Sequence, residues 1–192
     1  MSPEARIHPR TVSATETIGE TLETWDAIRA RRNVREYLDR PIEEADLERI
    51  LEAGRRTPSS KNEQRWDFVV VTDKEDLKRL ALVWQGARHV PGSAATICLI
   101  APETDVPRVK ESIQYDLGQV TMAMMIAAAD LGIGTGHSSV HDQDAARDVL
   151  GFPDGYFCGW LIGLGHPADR PLRPIQNPNR RPLSDIVHRG RW

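Results

Sequence analysis

The longest apolar stretch of the chain, residues 113–131, constrains the fold more than any other feature. On a helical wheel, the apolar side chains of residues 120–129 point in every direction and leave no polar stripe. Such a helix must be buried. A membrane span needs roughly 20 apolar residues, and Asp116 and Asp130 interrupt the run before that length. The pattern therefore predicts the central helix of a soluble fold, where Gly118 leaves room for a close neighbour such as a subunit partner.

Length and composition narrow the class of protein. The chain has 192 residues, enough for one domain with a substantial core, and its net charge of -3 does not favour nucleic acid or an acidic membrane as partner. Cys98 and Cys158 lie in apolar runs and form no CxxC pattern, which predicts two buried thiols in a reduced compartment. The N-terminus lacks the layout of a signal peptide. These features predict a cytoplasmic protein.

The order of patterns along the chain predicts a layered domain. Residues 1–20 indicate a flexible N-terminal tail, and residues 21–192 one domain that ends in an extended, proline- and arginine-rich arm with a short final helix. Besides the central helix, the patterns predict helices from residue 21 and over 41–53, 73–84 and 142–150, and strands over 66–72, 94–102 and 157–165. This alternation favours an α/β or α+β domain with a small sheet between helices.

The segment after the central helix, residues 132–139, is predicted to be a loop of small residues whose backbone amides can approach a ligand closely. It is not a dinucleotide fingerprint, because it follows a helix rather than a strand. The residues around Ser138 do not form a nucleophile elbow. His137 and His141 lack a third ligand. We therefore expect no metal site.

Two groups of arginines are the strongest chemical signal in the sequence. Arg31, Arg32 and Arg35 form one group, and Arg180 and Arg181 form the other. The first group has a plain alternative as a solvated helix end. Together with loops rich in glycine and serine, however, the two groups suit a phosphorylated, planar cofactor. The residues alone indicate a phosphate-bearing ligand, whereas the scarcity of aromatic residues among the arm's arginines disfavours nucleic acid.

Four ordered motifs give the chain a family resemblance. They are Arg31-Arg32-Asn33-Val34-Arg35-Glu36-Tyr37, the run from Thr57 to Trp66, Asp130-Leu131-Gly132-Ile133-Gly134-Thr135, and Arg180-Arg181-Pro182-Leu183. In this order they resemble the nitroreductase family of FMN-dependent oxidoreductases over residues 24–192. The resemblance implies an α+β sandwich, with a small central sheet flanked by helices, that forms an intertwined homodimer. It also implies one FMN at each of two sites in the subunit interface.

The resemblance assigns FMN contacts to four groups of residues. The first arginine motif would hold the phosphate and ribityl chain, the serine loop would line the flavin from one subunit and meet its pyrimidine edge, the glycine-rich segment would supply donors near N5 and O4, and the C-terminal arginines would close the phosphate end. The residues are Arg31, Arg32, Asn33, Arg35, Pro58, Ser59, Ser60, Asn62, Gly134, Thr135, Gly136, His137, Ser138, Arg180 and Arg181.

The implied reaction passes electrons from NAD(P)H through flavin N5 to an oxidised small molecule such as a nitroaromatic or a quinone. No side chain is assigned as catalytic acid or base. Asn33, Arg65 and His137 stand where the family usually has serine, proline and an apolar or hydroxylic residue, which leaves the choice of acceptor open. Dehalogenation or flavin fragmentation is an alternative, as is a non-catalytic protein that sequesters flavin or senses redox state.

Overall fold

The computed structural model describes residues 22–192, so the predicted tail over residues 1–20 lies outside the described part. The helices are α1 (Thr24–Ala30), α2 (Glu44–Arg55), α3 (Lys74–Leu80), α4 (Pro107–Asp130) and α5 (Gln143–Leu150). The strands are β1 (Asp67–Val71), β2 (Ala95–Pro102), β3 (Gly134–Ser139) and β4 (Tyr156–Gly165). The predicted helices and strands are present with boundaries that differ by a few residues, except for the short final helix of the arm.

Local signals in the sequence account for several helix ends. The Asp73 carboxylate caps α3 by accepting hydrogen bonds from the backbone amides of Glu75 and Asp76 at 2.9 and 3.0 Å. Asp142 caps α5 in the same way. Helix α5 ends at Gly151, whose φ of 69° is the left-handed conformation that glycine adopts readily.

The four strands form one antiparallel sheet in the order β1-β2-β4-β3. On one face, α2 and α4 cover a core that includes Ile97 and Ile162. On the other face, α3 and α5 cover a second core that includes Ile100 and Leu161. The architecture is the predicted α+β sandwich, with a small central sheet between layers of helix.

The prediction of a loop over residues 132–139 is wrong, because Gly134–Ser139 forms the edge strand β3 and pairs with β4. The glycines of this strand make room for Val34. A Cβ atom on Gly136 would lie 2.4 Å from the Val34 carbonyl oxygen, and one on Gly134 would lie 2.7 Å from the Val34 side chain. Glycine carries little strand propensity, so the sequence concealed a strand whose glycines are required by packing.

The central helix α4 is longer than predicted, since it begins at Pro107, and it is not buried on all sides within one chain. Leu117, Val120 and Met124 are fully buried, but Tyr115 and Met122 remain 71% and 46% exposed. The prediction of burial all round is therefore wrong for the single chain. The open side of α4 is an apolar surface that residues 22–192 do not cover.

The two cysteines and the C-terminal arm complete the fold. Cys98 on β2 and Cys158 on β4 are fully buried in the same core, as predicted. After β4 the chain is an extended arm, although its predicted final helix is only a 3₁₀ turn at Leu183–Asp185. Among residues 22–192, no helix is long and apolar enough to cross a membrane. The same residues contain no cluster of side chains suited to a metal ion.

Candidate active site

The first arginine group lies in an extended segment that follows α1 and runs beside β3. The Val34 amide donates a hydrogen bond to the Thr135 carbonyl oxygen at 2.8 Å, and Asn33 forms a parallel bridge with Thr135. Tyr37 closes the segment, because its hydroxyl lies 2.8 Å from the Val34 carbonyl oxygen and 3.1 Å from that of Gly163. Two motifs that are about 100 residues apart are therefore held side by side.

His137 projects from β3 into the field of these arginines. Burial lowers its pKa, and the positive charges of Arg31 and Arg35 lower it further. The ring is edge-on to Trp160, with 5.7 Å between the ring centroids. Its Nδ1 atom is buried and has no hydrogen-bond partner among the described residues. A neutral imidazole with an unused polar atom suits a ligand that offers a hydrogen bond.

Arg31 and Arg180 converge on one cleft, which we call the arginine cleft. The cleft has a volume of about 630 Å³. Its other walls include Trp25 of α1 and Met122 and Ile126 of α4. Within residues 22–192, Arg31 makes no ion pair. Cationic donors beside apolar walls are what a molecule with a phosphate and a flat ring requires, so the residues present fit FMN.

Arg32 and Arg181 do not line the arginine cleft and make other contacts within their own chain. The Arg32 guanidinium donates to the Asp169 carboxylate at 2.7 Å and to the Arg170 carbonyl oxygen at 2.8 Å. The hydrogen bond from Arg32 lowers the pKa of Asp169. Arg181 donates to the Asp185 carbonyl oxygen at 2.8 Å. Arg32 therefore fastens the C-terminal arm to the segment that follows α1, and the role in phosphate binding stays a prediction for both arginines.

Most of the serine loop, residues 58–64, lines a second cleft, which we call the loop cleft; Asn62 and Gln64 are not among the lining residues. Pro58, Ser59 and Ser60 form one wall, and Tyr115 of α4 lies on the other. The cleft has a volume of about 860 Å³. On α4 the loop cleft reaches Gln119 and the arginine cleft begins at Met122, and the two clefts share no lining residue. In the single chain the serine loop and the arginines therefore line separate clefts that follow one another along α4.

The backbone of the serine loop is strained. Lys61, Asn62 and Gln64 have φ angles of 54°, 57° and 49°, which cost about 1–2 kcal/mol per residue outside glycine and less for asparagine. The Gln64 amide donates to the Ser59 hydroxyl at 2.9 Å, and the Gln64 side chain donates to Asn62 Oδ1 at 3.2 Å. Strain that the surrounding structure holds in place is typical of binding and catalytic loops.

Asp116 is a site residue that sequence reasoning missed. In the sequence it only interrupts an apolar helix, yet in the structure it is 4% exposed and contacts the serine loop. The available signal was a carboxylate in the middle of a buried segment, because a buried charge is costly unless it has a specific partner. Its contacts place it in the candidate site.

The fold and the two clefts define a class of protein: an α+β sandwich with one cleft that carries arginines beside apolar walls and another lined by a strained serine loop. Comparison with known proteins gives the family. The nitroreductase family pattern matches residues 28–99. A protein of Archaeoglobus fulgidus, named for NADH dehydrogenase and NAD(P)H nitroreductase, is 31% identical over 169 residues, which cover 86% of this chain and 96% of that protein. The chain belongs to the nitroreductase family.

Two further comparisons agree. An FMN reductase [NAD(P)H] of Bacillus subtilis is 26% identical over 77% of this chain and 67% of its own length. The structure of an FMN-dependent nitroreductase from Clostridium difficile superposes with a TM-score of 0.76 at 22% identity, covering 86% of this chain and 98% of that one. These findings confirm the predicted family, its fold and an oxidoreductase of nitroreductase type. The individual site residues remain predictions.

Proposed function

We propose that the protein is an FMN-dependent oxidoreductase that passes electrons from NAD(P)H to an oxidised small molecule such as a nitroaromatic or a quinone. The observation that carries the proposal is the arginine cleft, where Arg31 and Arg180 meet from opposite ends of the chain beside apolar walls. The Bacillus subtilis relative, named as an FMN reductase [NAD(P)H], supports both flavin and nicotinamide. When bound, FMN supplies the N5 atom that accepts hydride.

The chain's own residues hold and orient the cofactor. Arg31 and Arg180 bind the phosphate through charge-assisted hydrogen bonds. Asn62 meets the pyrimidine edge of the flavin, since an amide both donates and accepts. His137, kept neutral by burial and by the neighbouring arginines, offers its buried Nδ1 atom to the ligand. We assign no side chain as proton donor or acceptor in the reaction.

We further propose a homodimer that brings the two clefts together. The open side of α4 carries Tyr115 and Met122, and between them a Cβ atom on Gly118 would meet nothing within 4 Å among residues 22–192 apart from its own turn of helix. The loop cleft and the arginine cleft lie at opposite ends of this surface. A twofold axis near Gly118 would place the serine loop of one chain beside the arginine cleft of its partner. Each flavin site is then built from both chains.

Anaerobic reduction tests the proposed activity. The purified protein should show the visible absorption of oxidised flavin, and NADH or NADPH should bleach that absorption on the timescale of turnover. A nitroaromatic or a quinone should then restore it. Flavin that stays oxidised with both nicotinamides would instead identify a protein that stores flavin or senses redox state.

We also propose a cytoplasmic location. Cys98 and Cys158 are buried free thiols, which suit a reduced compartment such as the cytoplasm.

A further inference from the structure

The Asp116 side chain is a buried carboxylate with an unusual set of neighbours. Both of its oxygens lie close to the backbone amide of Ser60, at 3.2 and 3.1 Å. The Gln119 side chain donates to one of them at 3.4 Å. Among residues 22–192, no lysine, arginine or histidine lies within ion-pair distance of Asp116. Its burial is therefore compensated mainly by the backbone of the serine loop.

The Ser60 amide, which Asp116 contacts, lies at the start of the strained turn in the serine loop. Ser60 begins the turn in which Lys61 and Asn62 take up positive φ angles. A loop with this backbone has a strong tendency to relax unless outside contacts hold it. Asp116 provides such a contact from α4, a rigid helix of 24 residues. A charged acceptor makes a stronger hydrogen bond to a backbone amide than a neutral one does.

We propose that Asp116 is a positioning residue that holds the serine loop in the conformation that contacts the flavin ring. The proposal rests on the proposed function, because it takes the flavin as the ligand of this loop. Asp116 lines the loop cleft and acts on the loop through the Ser60 amide. It should therefore govern contacts to the ring, whereas the arginine cleft governs contacts to the phosphate.

Titration of the apo-protein with FMN and with riboflavin tests this role. Asp116→Ala should raise both dissociation constants by the same factor, about tenfold or more, since it removes a hydrogen bond to a charged group. The ratio of the two constants should stay at the wild-type value. Asp116→Asn should recover part of the affinity, because its amide oxygen still accepts from the Ser60 amide.

Asp130→Asn is the matched control. Asp130 lies at the other end of α4. Its carboxylate likewise accepts a hydrogen bond from a backbone amide, that of Leu22 at 2.7 Å, and it accepts another from the Arg49 guanidinium at 2.6 Å. Its replacement should lower the melting temperature and leave both dissociation constants unchanged. If Asp130→Asn weakens both flavins as much as Asp116→Ala does, general destabilisation explains the effect and the proposal is overturned.

Hydrogen exchange of the apo-protein gives a readout without flavin. The Ser60 amide should exchange faster in Asp116→Ala than in wild type, and trypsin should cleave after Lys61 sooner. Wild-type protein that binds neither flavin would refute the proposed function, while exchange at Ser60 would still test the Asp116 contact. Unchanged exchange, or faster exchange with unchanged flavin affinity, would refute the positioning role. If Asp116→Ala does not fold, Asp116→Asn carries the same comparisons.

Discussion

Replacing Arg31 or Arg180 by alanine should reduce the preference of the protein for FMN over riboflavin. The two flavins differ only in the phosphate, so this preference isolates the phosphate contacts from those made to the ring. Arg31 and Arg180 line the same cleft. Arg180 donates to the carbonyl oxygen of its neighbour Asn179, whereas Arg32 donates to the Asp169 carboxylate and to the Arg170 carbonyl oxygen. The structure therefore ranks Arg31 and Arg180 above Arg32 as direct phosphate ligands.

The size of the effect follows from the kind of bond that is lost. A hydrogen bond to a charged group contributes about 1.5–3 kcal/mol, and each 1.4 kcal/mol changes a dissociation constant about tenfold. Each single substitution should thus weaken FMN binding by about 10- to 100-fold and leave riboflavin almost unaffected. Arg31→Ala with Arg180→Ala should fall short of the product of the single effects, because the two arginines share one anion.

Quenching of flavin fluorescence on addition of apo-protein measures both constants. Arg79→Ala is the control, since Arg79 is exposed on α3, on the opposite face of the sheet from α4, and pairs with Asp76. Added salt should weaken FMN binding more than riboflavin binding in wild type, because only the phosphate contact is screened. Equal dissociation constants for the two flavins in wild type, or an unchanged ratio in both variants, would show that the arginine cleft does not bind phosphate.

Four further outcomes are expected. Asn62→Leu should lower FMN affinity or shift the flavin reduction potential with little loss of stability; titration and potentiometry test this, and wild-type values for both would remove Asn62 from the site. Gly118→Arg should abolish the dimer but keep the helical circular dichroism, since only a partner would meet the new side chain; a dimer in sedimentation velocity would exclude an interface there. Gly136→Ala should cost about 1–3 kcal/mol of unfolding free energy in urea, because its Cβ would collide with the Val34 carbonyl oxygen, and wild-type stability would mean that Val34 moves freely. Burial lowers the pKa of His89 below its usual 6.5, so the contribution of neutral His89 to stability is complete above pH 6.5 and is lost as the pH falls toward the folded-state pKa. Urea midpoints should therefore fall more steeply from pH 7.5 to 5.5 in wild type than in His89→Gln. Parallel profiles would show that folding does not lower the pKa of His89.

The elements that could be predicted from the sequence are those with local signals. Apolar runs predicted the strands β2 and β4, and capping residues marked the starts of the helices α3 and α5. The order of the arginine, serine and glycine motifs was enough to indicate the family. These features depend on neighbours in the sequence, which a single chain displays directly.

The features that could not be predicted depend on distant neighbours. The sequence does not predict strand β3, because its glycines are required by close packing against Val34, which lies about 100 residues away in the chain. The ion pair between Arg32 and Asp169 links two segments that are 137 residues apart. An arginine that is free to bind phosphate and one that is paired within its own chain therefore look alike in the sequence. Asp116 was missed because its partner is a backbone amide, which no residue pattern reveals.

The buried cysteines make the protein a reporter of its own unfolding. Cys98 and Cys158 are fully enclosed between the sheet and its outer helices. A side-chain hydrogen bond shared with Cys158, together with burial, raises the pKa of the Cys98 thiol, which keeps Cys98 protonated and unreactive in the native state. An alkylating reagent should therefore label these thiols only when the sheet opens. Labelling kinetics, followed by mass spectrometry, would count those openings and show how strongly a bound cofactor suppresses them.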